Sequence, residues 1–249
     1  MSSKLRRLSI VVAVALFWLG VWALCSHLIN QELLLPTPWV TLVTLVKMMG
    51  QSTFWVAVGV SFLRVLGGFV AAVVVGVLLA VLTTRFAILH TVLSPLLYVV
   101  RAAPVASFII LAFVWLRAGV LPAFIAFLMV VPLVWENVRR GILEIDVKLL
   151  EMAQVFRLNR RNRVRLIWVP SVKPYFEAAV ITGFGFAWKS GIAAEIICWP
   201  DRSIGQNMHA AKAYLETPEV IAWTLVVVVL SVVLEHLLKR FMKGKGVSV

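Results

Sequence analysis

The chain has 249 residues, of which 62% are hydrophobic and 14% are charged, and its mean hydropathy is +0.99. Soluble domains carry about 25% charged residues, so this composition excludes a soluble enzyme, a disordered chain and a small disulfide scaffold. With 24 Lys and Arg against 11 Asp and Glu, the net charge is +13. Two classes fit such a charge: nucleic-acid-binding proteins, and membrane proteins whose basic residues gather in cytoplasmic loops.

The predicted elements are apolar runs long enough to cross a bilayer, which takes about 20 residues per helix. We predict six such helices, at residues 8–29, 54–84, 86–116, 120–140, 173–197 and 219–240. The first is longer than the apolar part of a signal peptide, so we interpret it as a retained helix, with cleavage as the alternative. Pro104 is expected to bend the third, and Gly141 to close the fourth. The sequence thus predicts an all-α integral membrane protein.

The connector 31–53 carries helix-breaking residues at Pro36, Pro38 and Gly50. We therefore divide the chain into an N-terminal helix with an external connector, 1–53, and a transmembrane core, 54–249. Two sets of small residues recur every four positions, a spacing that favours close helix packing over chance. They are Gly68, Ala72, Gly76 and Ala80, and Gly183, Ala187 and Gly191.

The basic residues are distributed unevenly between the two sides of the membrane. An even number of spans places both termini on one side, and most of the 24 Lys and Arg fall there, most densely between Arg139 and Lys173. Basic loops stay in the cytoplasm, so we predict a multi-pass protein with both termini cytoplasmic. This distribution accounts for the net charge without nucleic acid as a partner.

The polar stretch 141–170 between the fourth and fifth spans is predicted to contain a short amphipathic helix over 147–158. Asp146 is a plausible N-cap, and Asn159 can end the helix in a left-handed conformation. Its apolar face repeats at helical spacing through Leu149, Met152, Ala153 and Phe156. An apolar face bordered by charges suits a groove on a partner protein.

This stretch resembles the EAA loop of ABC importer permeases. The family pattern is Glu-Ala-Ala, three residues, Gly, nine residues, then Ile-x-Leu-Pro. The chain has Glu151-Met152-Ala153, three residues, Arg157, nine residues, then Ile167-Trp168-Val169-Pro170. Met152, Arg157 and Val169 depart from the pattern. Because Arg157 replaces Gly, we expect Asn159 to supply the turn.

Further stretches resemble the nitrate/taurine/sulfonate branch of these permeases. They are Leu34-Leu35-Pro36-Thr37-Pro38, Arg64-Val65-Leu66-Gly67-Gly68-Phe69, Ala103-Pro104-Val105-Ala106, Ala187-Trp188-Lys189-Ser190-Gly191-Ile192-Ala193-Ala194-Glu195 and Ser203-Ile204-Gly205. The resemblance implies a MetI-like ABC permease fold with a cytoplasmic coupling helix, in the bacterial inner membrane. It also implies three partners: a cytoplasmic ABC ATPase dimer that binds ATP and Mg, an extracytoplasmic solute-binding protein, and a second permease copy in a homodimer.

The resemblance assigns ATPase coupling to the loop and its flanks. The predicted coupling residues are Leu149, Glu151, Met152, Ala153, Phe156, Arg157, Asn159 and Pro170. For Glu151 the alternative is that it only favours the helix N-terminus through the helix dipole. The chain carries no Walker A or catalytic motif, so we expect no enzyme and no cofactor on this chain.

Ionisable residues within spans are functional candidates by default. For the translocation pathway we predict Arg101, Lys189, Glu195 and Ser203. Central cations without a central acid suggest a path that tolerates anions, and a carboxylate, a sulfonate or nitrate would fit. The resemblance to the nitrate/taurine/sulfonate branch implies nitrate, sulfonate or taurine as the solute. The alternative is structural: each cation caps carbonyls of a broken helix or pairs with an acid on another span. Residues 203–214 are expected to form a short helix at the outer mouth, as a gate, a docking site or a solvated loop.

Two rival functions remain. An ion-driven secondary transporter or channel would require central acids and no docking helix, and a membrane-embedded enzyme would require clustered His, Asp or Glu. The four His residues are scattered without ligand spacing, so no metal site is expected. A disulfide between Cys25 and Cys198 is possible, although a free Cys usually behaves as a small buried apolar residue.

Overall fold

The computed structural model describes residues 3–243, and this range is helical without strands, which confirms the all-α class. The elements are α1 (Ser3–Ile29), α2 (Pro38–Met49), α3 (Ser52–Arg85), α4 (Ala87–Ala102), α5 (Val105–Phe113), α6 (Leu121–Leu143), α7 (Val147–Val155), α8 (Arg160–Arg163), α9 (Val169–Cys198), α10 (Ile204–Ala213) and α11 (Thr217–Lys243). A π-helical turn, Val164–Trp168, joins α8 to α9.

Five helical segments of the described chain are long and apolar enough to span a membrane: α1, α3, α6, α11 and the continuous run from α8 through α9. The pair α4 and α5 passes the same test but bends by 103° at Ala103-Pro104. The predicted bend at Pro104 is therefore confirmed, and it is sharp enough to break the span. Counting the bent pair as one crossing gives the six predicted spans.

The centre of the bundle is the packing of α3 and α9 against α6. The two predicted stripes of small residues are buried there. At Gly68, a Cβ atom would lie 2.0 Å from the carbonyl oxygen of Ala123 on α6. At Gly191, a Cβ atom would lie 2.5 Å from Val65 Cγ2 on α3. The stripes are therefore packing faces, which confirms the interpretation from spacing.

The predicted end of the fourth span at Gly141 is wrong, because α6 continues to Leu143. Gly141 is buried, and a Cβ atom there would lie 2.8 Å from the ring of Tyr175. This glycine gives α9 room to approach and does not end the helix. Tertiary packing thus overrides the usual role of a glycine after cations.

The fifth span begins earlier than residue 173, since one continuous helical run extends from Arg160 to Cys198. Pro170 lies in the first turn of α9, directly after the π-helical turn. A proline in a helix lacks an N–H and crowds the carbonyl four residues earlier. A wider π turn relieves that conflict, so the chain passes this proline without leaving the helix.

The connector 31–53 contains α2, a helix that the breaker residues did not predict. Thr37 caps its N-terminus, its Oγ1 accepting from Val40 N at 3.2 Å, and Pro38 occupies the first turn, where a missing N–H costs nothing. The connector is also tied to α1, because Trp22 Nε1 donates to Pro36 O at 3.0 Å and Ser26 Oγ donates to Leu35 O at 2.7 Å.

Candidate functional site

One end of the bundle carries α7, between the C-terminus of α6 and α8, together with the densest basic residues; we call it the basic end. Asp146 caps α7 as predicted, with its Oδ1 accepting from Lys148 N at 2.9 Å. The helix ends at Val155, three residues before the predicted end.

The inner face of α7 anchors it to the bundle. Ala153 is fully buried and packs with Ile145 and Ile167, and with the partly buried Leu150 and Leu158. Sequence reasoning placed Ala153 on the same face as Leu149, Met152 and Phe156. Ala153 lies one turn after Leu149, as that grouping requires, but the start of the α8–α9 run covers it, so it does not belong to the exposed part of the face. A small residue here lets α7 lie close to Ile167.

The outer face of α7 is apolar and uncovered in the chain. Leu149 and Met152 are 38% and 43% exposed, whereas Phe156 and Val155 are 71% and 78% exposed. Val155 was missed by the sequence argument, although its position three residues after Met152 places it on the same side. Glu151 is exposed beside this face. These four apolar side chains, which we call the α7 patch, form a surface suited to a groove in a partner.

Arg157, and not Asn159, makes the left-handed turn that ends α7. Its φ is +50°, and two hydrogen bonds close the turn: Arg157 N to Gln154 O at 3.0 Å and Leu158 N to Ala153 O at 2.9 Å. This is the Schellman pattern, which usually has glycine at the left-handed position. Asn159 is extended and caps α8, with its Oδ1 accepting from Asn162 N at 2.8 Å. Arg157 stands where the family pattern has glycine, and it adopts the left-handed conformation that glycine favours.

Glu144, directly after α6, fixes the start of the loop that contains α7. Its carboxylate accepts from Tyr175 Oη on α9 and from Arg140 Nε at 2.7 Å. These hydrogen bonds, that of Tyr175 first, lower the pKa of Glu144 below its ordinary value. Pro170, the last residue of the predicted pattern, is exposed in the first turn of α9. The loop is therefore attached to both α6 and α9.

A buried polar cluster lies at the opposite end of the bundle, around Glu195 near the end of α9. Glu195 is 0% exposed. Its Oε2 accepts from Ser61 Oγ of α3 at 2.6 Å and from Gly205 N of α10 at 3.4 Å. Its Oε1 lies 3.7 Å from Arg64 Nη1. A buried carboxylate is retained only with such partners, so the cluster ties three helices together.

The N-terminal end of α10 and the residues before it form the rest of this polar cluster. Ser203 is buried and caps α10, its Oγ accepting from Gln206 N at 2.9 Å. Ile204 N donates to Ser61 Oγ at 3.0 Å, and Arg64 Nη2 donates to Asp201 O at 3.0 Å. The predicted short helix over 203–214 is confirmed as α10. Ser61 was missed, although its position one turn before Arg64 on the same helix was an available signal.

The cations predicted within the spans are placed differently from one another. Arg101, a predicted pathway residue, forms an ion pair with Glu136 of α6, and Arg64, a further cation within a span of α3, pairs with Glu195. The premise of central cations without an acid is therefore wrong for these two, and the structural alternative holds. Lys189 is exposed on α9 and has no ion pair within the described chain, whereas Glu195, six residues farther along the same helix, is buried.

The two cysteines are free: Cys25 is exposed and Cys198 is buried. Cys198 Sγ lies 3.8 Å from Ala118 O. The disulfide considered from the sequence is absent between these residues.

The chain has several helices that can span a membrane, and a short helix, α7, lies in the loop between the fourth and fifth spans. This arrangement is that of a multi-pass transport subunit with the MetI-like permease fold. The family model for the binding-protein-dependent transport system inner membrane component matches residues 72–244. The chain belongs to this family, and it is a permease subunit of an ABC transporter, which associates with an ATPase and a binding protein.

Relatives and a solved structure agree with this assignment. The taurine transport system permease protein TauC of Escherichia coli is 22% identical over 220 residues, covering 86% of this chain and 80% of that protein. The nitrate import permease protein NrtB of Synechococcus elongatus is 28% identical over 139 residues, covering 55% and 50%. These relatives confirm the predicted branch. A crystal structure of an amino acid ABC transporter with histidines has the same fold, with a TM-score of 0.60 and 16% identity, covering 81% of this chain and 97% of that one.

Proposed function

We propose that this chain forms the translocation pathway of an ATP-driven importer and that the α7 patch docks in a cleft of a separate ABC ATPase. The observation that supports this most is the division of α7 into two faces. Ala153 fixes the helix from within, and Phe156 and Val155 project outward with most of their surface uncovered. Burying an apolar surface of this kind against a partner is favourable.

The attachments of α7 explain how a movement of the ATPase reaches the membrane. ATP and Mg bind to the ATPase dimer, whose closure displaces the docked α7. Ala153 transmits the displacement to Ile167 and so to α9, and Glu144 transmits it to α6 and to Tyr175. Because α6 and α9 pack together along their lengths, they move as a unit. Glu151, Arg157, Asn159 and Pro170 shape or border this docking segment.

The charge distribution and the family support the following assembly as part of the proposal. The basic end faces the cytoplasm of a bacterial cell, with both termini on that side of the inner membrane. An extracytoplasmic binding protein delivers solute at the opposite end, where α10 lies. A second copy of this chain completes a homodimeric pathway.

We further propose that the solute is a small anion of the taurine or nitrate type. The relatives named above carry those solutes in their names. Lys189 supplies the cation that faces the pathway, since it is exposed and unpaired within the described chain. Arg101, neutralised by Glu136, borders the path. Glu195 and Ser203 hold the outer end of the path through the contact of α9 with α10.

Uptake by whole cells tests this proposal. In cells that lack the proton-driven ATP synthase, uptake of labelled taurine or nitrate should stop when arsenate depletes ATP and continue when a protonophore collapses the ion gradient. We expect Lys189→Met to lower uptake about 10- to 100-fold, because a hydrogen bond to a charged group contributes roughly 1.5–3 kcal/mol. Lys239→Met, an exposed cation at the basic end of α11, is the control and should leave uptake unchanged.

The opposite pattern would contradict the proposal. Uptake that follows the ion gradient and survives ATP depletion would indicate the secondary transporter. Normal uptake by Lys189→Met, with ATP-dependent transport intact, would remove this residue from the pathway.

A further inference from the structure

A deep apolar groove opens at the basic end between the C-terminal halves of α3 and α6 and the start of α9. It encloses about 620 Å³. Its floor includes the buried Val138, and its walls include Val81 of α3 and Phe176 of α9. Within the described chain nothing fills it, so its apolar walls need an apolar occupant.

The groove extends along the spans as well as across them. Val77 and Arg85 both line it and lie eight residues apart on α3. Eight residues of helix correspond to about 12 Å. The groove therefore begins at the end of the bundle and continues roughly 12 Å toward its middle, at the depth of acyl chains when the basic end faces the cytoplasm.

Cations surround the mouth of the groove. Arg85 and Lys173 line it, and an adjoining cavity that shares Val164 and Val169 with it is lined by Arg160, Arg161 and Arg165. The residues described as lining the two cavities include no Asp or Glu. Lys173 is paired with Glu177, which lies one helical turn farther along α9 and whose Oε1 is 3.7 Å from Lys173 Nζ.

We propose that this groove binds an anionic phospholipid of the cytoplasmic leaflet, with its acyl chain between α3, α6 and α9 and its phosphate among the cations at the mouth. A basic pocket between membrane helices on the cytoplasmic side fits such a headgroup. Along the membrane normal the cations lie at the mouth of the groove and the apolar walls lie deeper in the membrane. A phospholipid has the same arrangement, with its charged headgroup at the surface and its acyl chains in the membrane interior. In the proposed function an ATPase docks on the α7 patch, which is a different surface from this groove. The inference rests on the proposed orientation, with the basic end in the cytoplasm, and does not depend on which solute is transported.

Quenching of Trp168 by brominated lipid tests the inference, because Trp168 lines the groove. The full chain is reconstituted in nanodiscs with brominated phosphatidylglycerol or brominated phosphatidylcholine, and the signal of Trp168→Phe is subtracted to isolate this residue. We expect the phosphatidylglycerol to quench at about one tenth of the mole fraction required by phosphatidylcholine. Of the two cations that line the groove itself, Arg85 contributes about fivefold. Lys173 contributes about twofold, because Glu177 partly neutralises it.

Two variants and one control sharpen the test. Arg85→Gln with Lys173→Gln removes the two cations that line the groove itself and should remove most of the preference between the two lipids. Val81→Phe, at an exposed position on the wall, narrows the groove without adding a tryptophan and should exclude both lipids from it. Lys239→Gln with Arg240→Gln removes the same charge from the basic end of α11, where Lys239 also has an acid one turn away, and should leave the preference intact.

Equal quenching by the two lipids in the unmodified chain would overturn the inference, because it would show ordinary annular lipid. Resistance of Trp168 to both lipids would also overturn it, because another protein surface, such as a second copy of the chain, would then cover the groove. Loss of the preference in the α11 control would show general surface attraction and would equally count against a site.

Discussion

Gly68→Ala is expected to unfold the protein at a much lower temperature than the neighbouring Gly67→Ala. A Cβ atom at position 68 would lie 2.0 Å from a backbone oxygen of α6, so α3 and α6 would have to separate. Overpacking of this kind typically costs 1–3 kcal/mol, and because the obstacle is backbone we expect about 3 kcal/mol. At position 67 nothing lies within 4 Å of the added atom, and alanine gains about 0.5–1 kcal/mol in a helix interior.

The buried thiol of Cys198 provides the measurement. In a Cys25→Ser background, a thiol-reactive dye reports only the opening of the bundle around Cys198, since Cys25 is the exposed cysteine. The dye should label Gly68→Ala at a lower temperature than the parent, and Gly67→Ala at the same or a higher temperature. Equal labelling temperatures for the two variants would mean that α3 and α6 are not in the close contact described.

Glu195→Ala is expected to release α10 from the bundle. The change removes the acceptor of Ser61 and Gly205 and leaves Arg64, whose side chain is only 20% exposed, without its counter-charge. Removing one partner of a buried ion pair costs about 3–5 kcal/mol. The amides of α10, 204–213, should therefore exchange with solvent faster by several orders of magnitude, as measured by hydrogen exchange.

Two further variants separate the ion pair from the loss of volume. Glu177→Ala removes a carboxylate from the same helix whose partner is exposed, and exposed pairs contribute about 0–1 kcal/mol, so exchange in α10 should stay unchanged. Arg64→Met with Glu195→Met removes both charges and should recover most of the protection, as replacing a whole buried pair usually does. Protection of α10 that survives Glu195→Ala would refute the tether.

The spans, the bend at Pro104 and the small-residue stripes could be predicted because each depends on local sequence. A run of about 20 apolar residues predicts a span. The missing N–H of a proline predicts a bend, and small residues repeated every four positions predict a packing face. The loop helix was predictable for the same reason, from Asp146 and an apolar period. The burial of Ala153 at the edge of that apolar face was not predictable, since it depends on Ile167, which follows in another helical segment.

Other features depend on contacts between distant segments. Ser61 and Glu195 are 134 positions apart, so no local pattern joins them. The left-handed turn at Arg157 was assigned to Asn159 because asparagine tolerates that conformation better. In the structure, hydrogen bonds of the turn and the burial of Ala153 hold Arg157 there instead. The preference of asparagine for the left-handed conformation was therefore outweighed by the hydrogen bonds and packing around Arg157.

The most direct test of an ATP-driven permease is a cross-link from the α7 patch. Benzoylphenylalanine is placed at position 156 and activated by light in native membranes, and the adduct is purified through a tag on this chain. The account predicts an adduct with a nucleotide-hydrolysing subunit, and predicts that Phe156→Asp prevents co-purification of that subunit. The same photoreactive residue at position 214, where Tyr214 is 78% exposed at the opposite end, should give no such adduct. An adduct from position 156 that contains only lipid or a second copy of this chain would contradict the account.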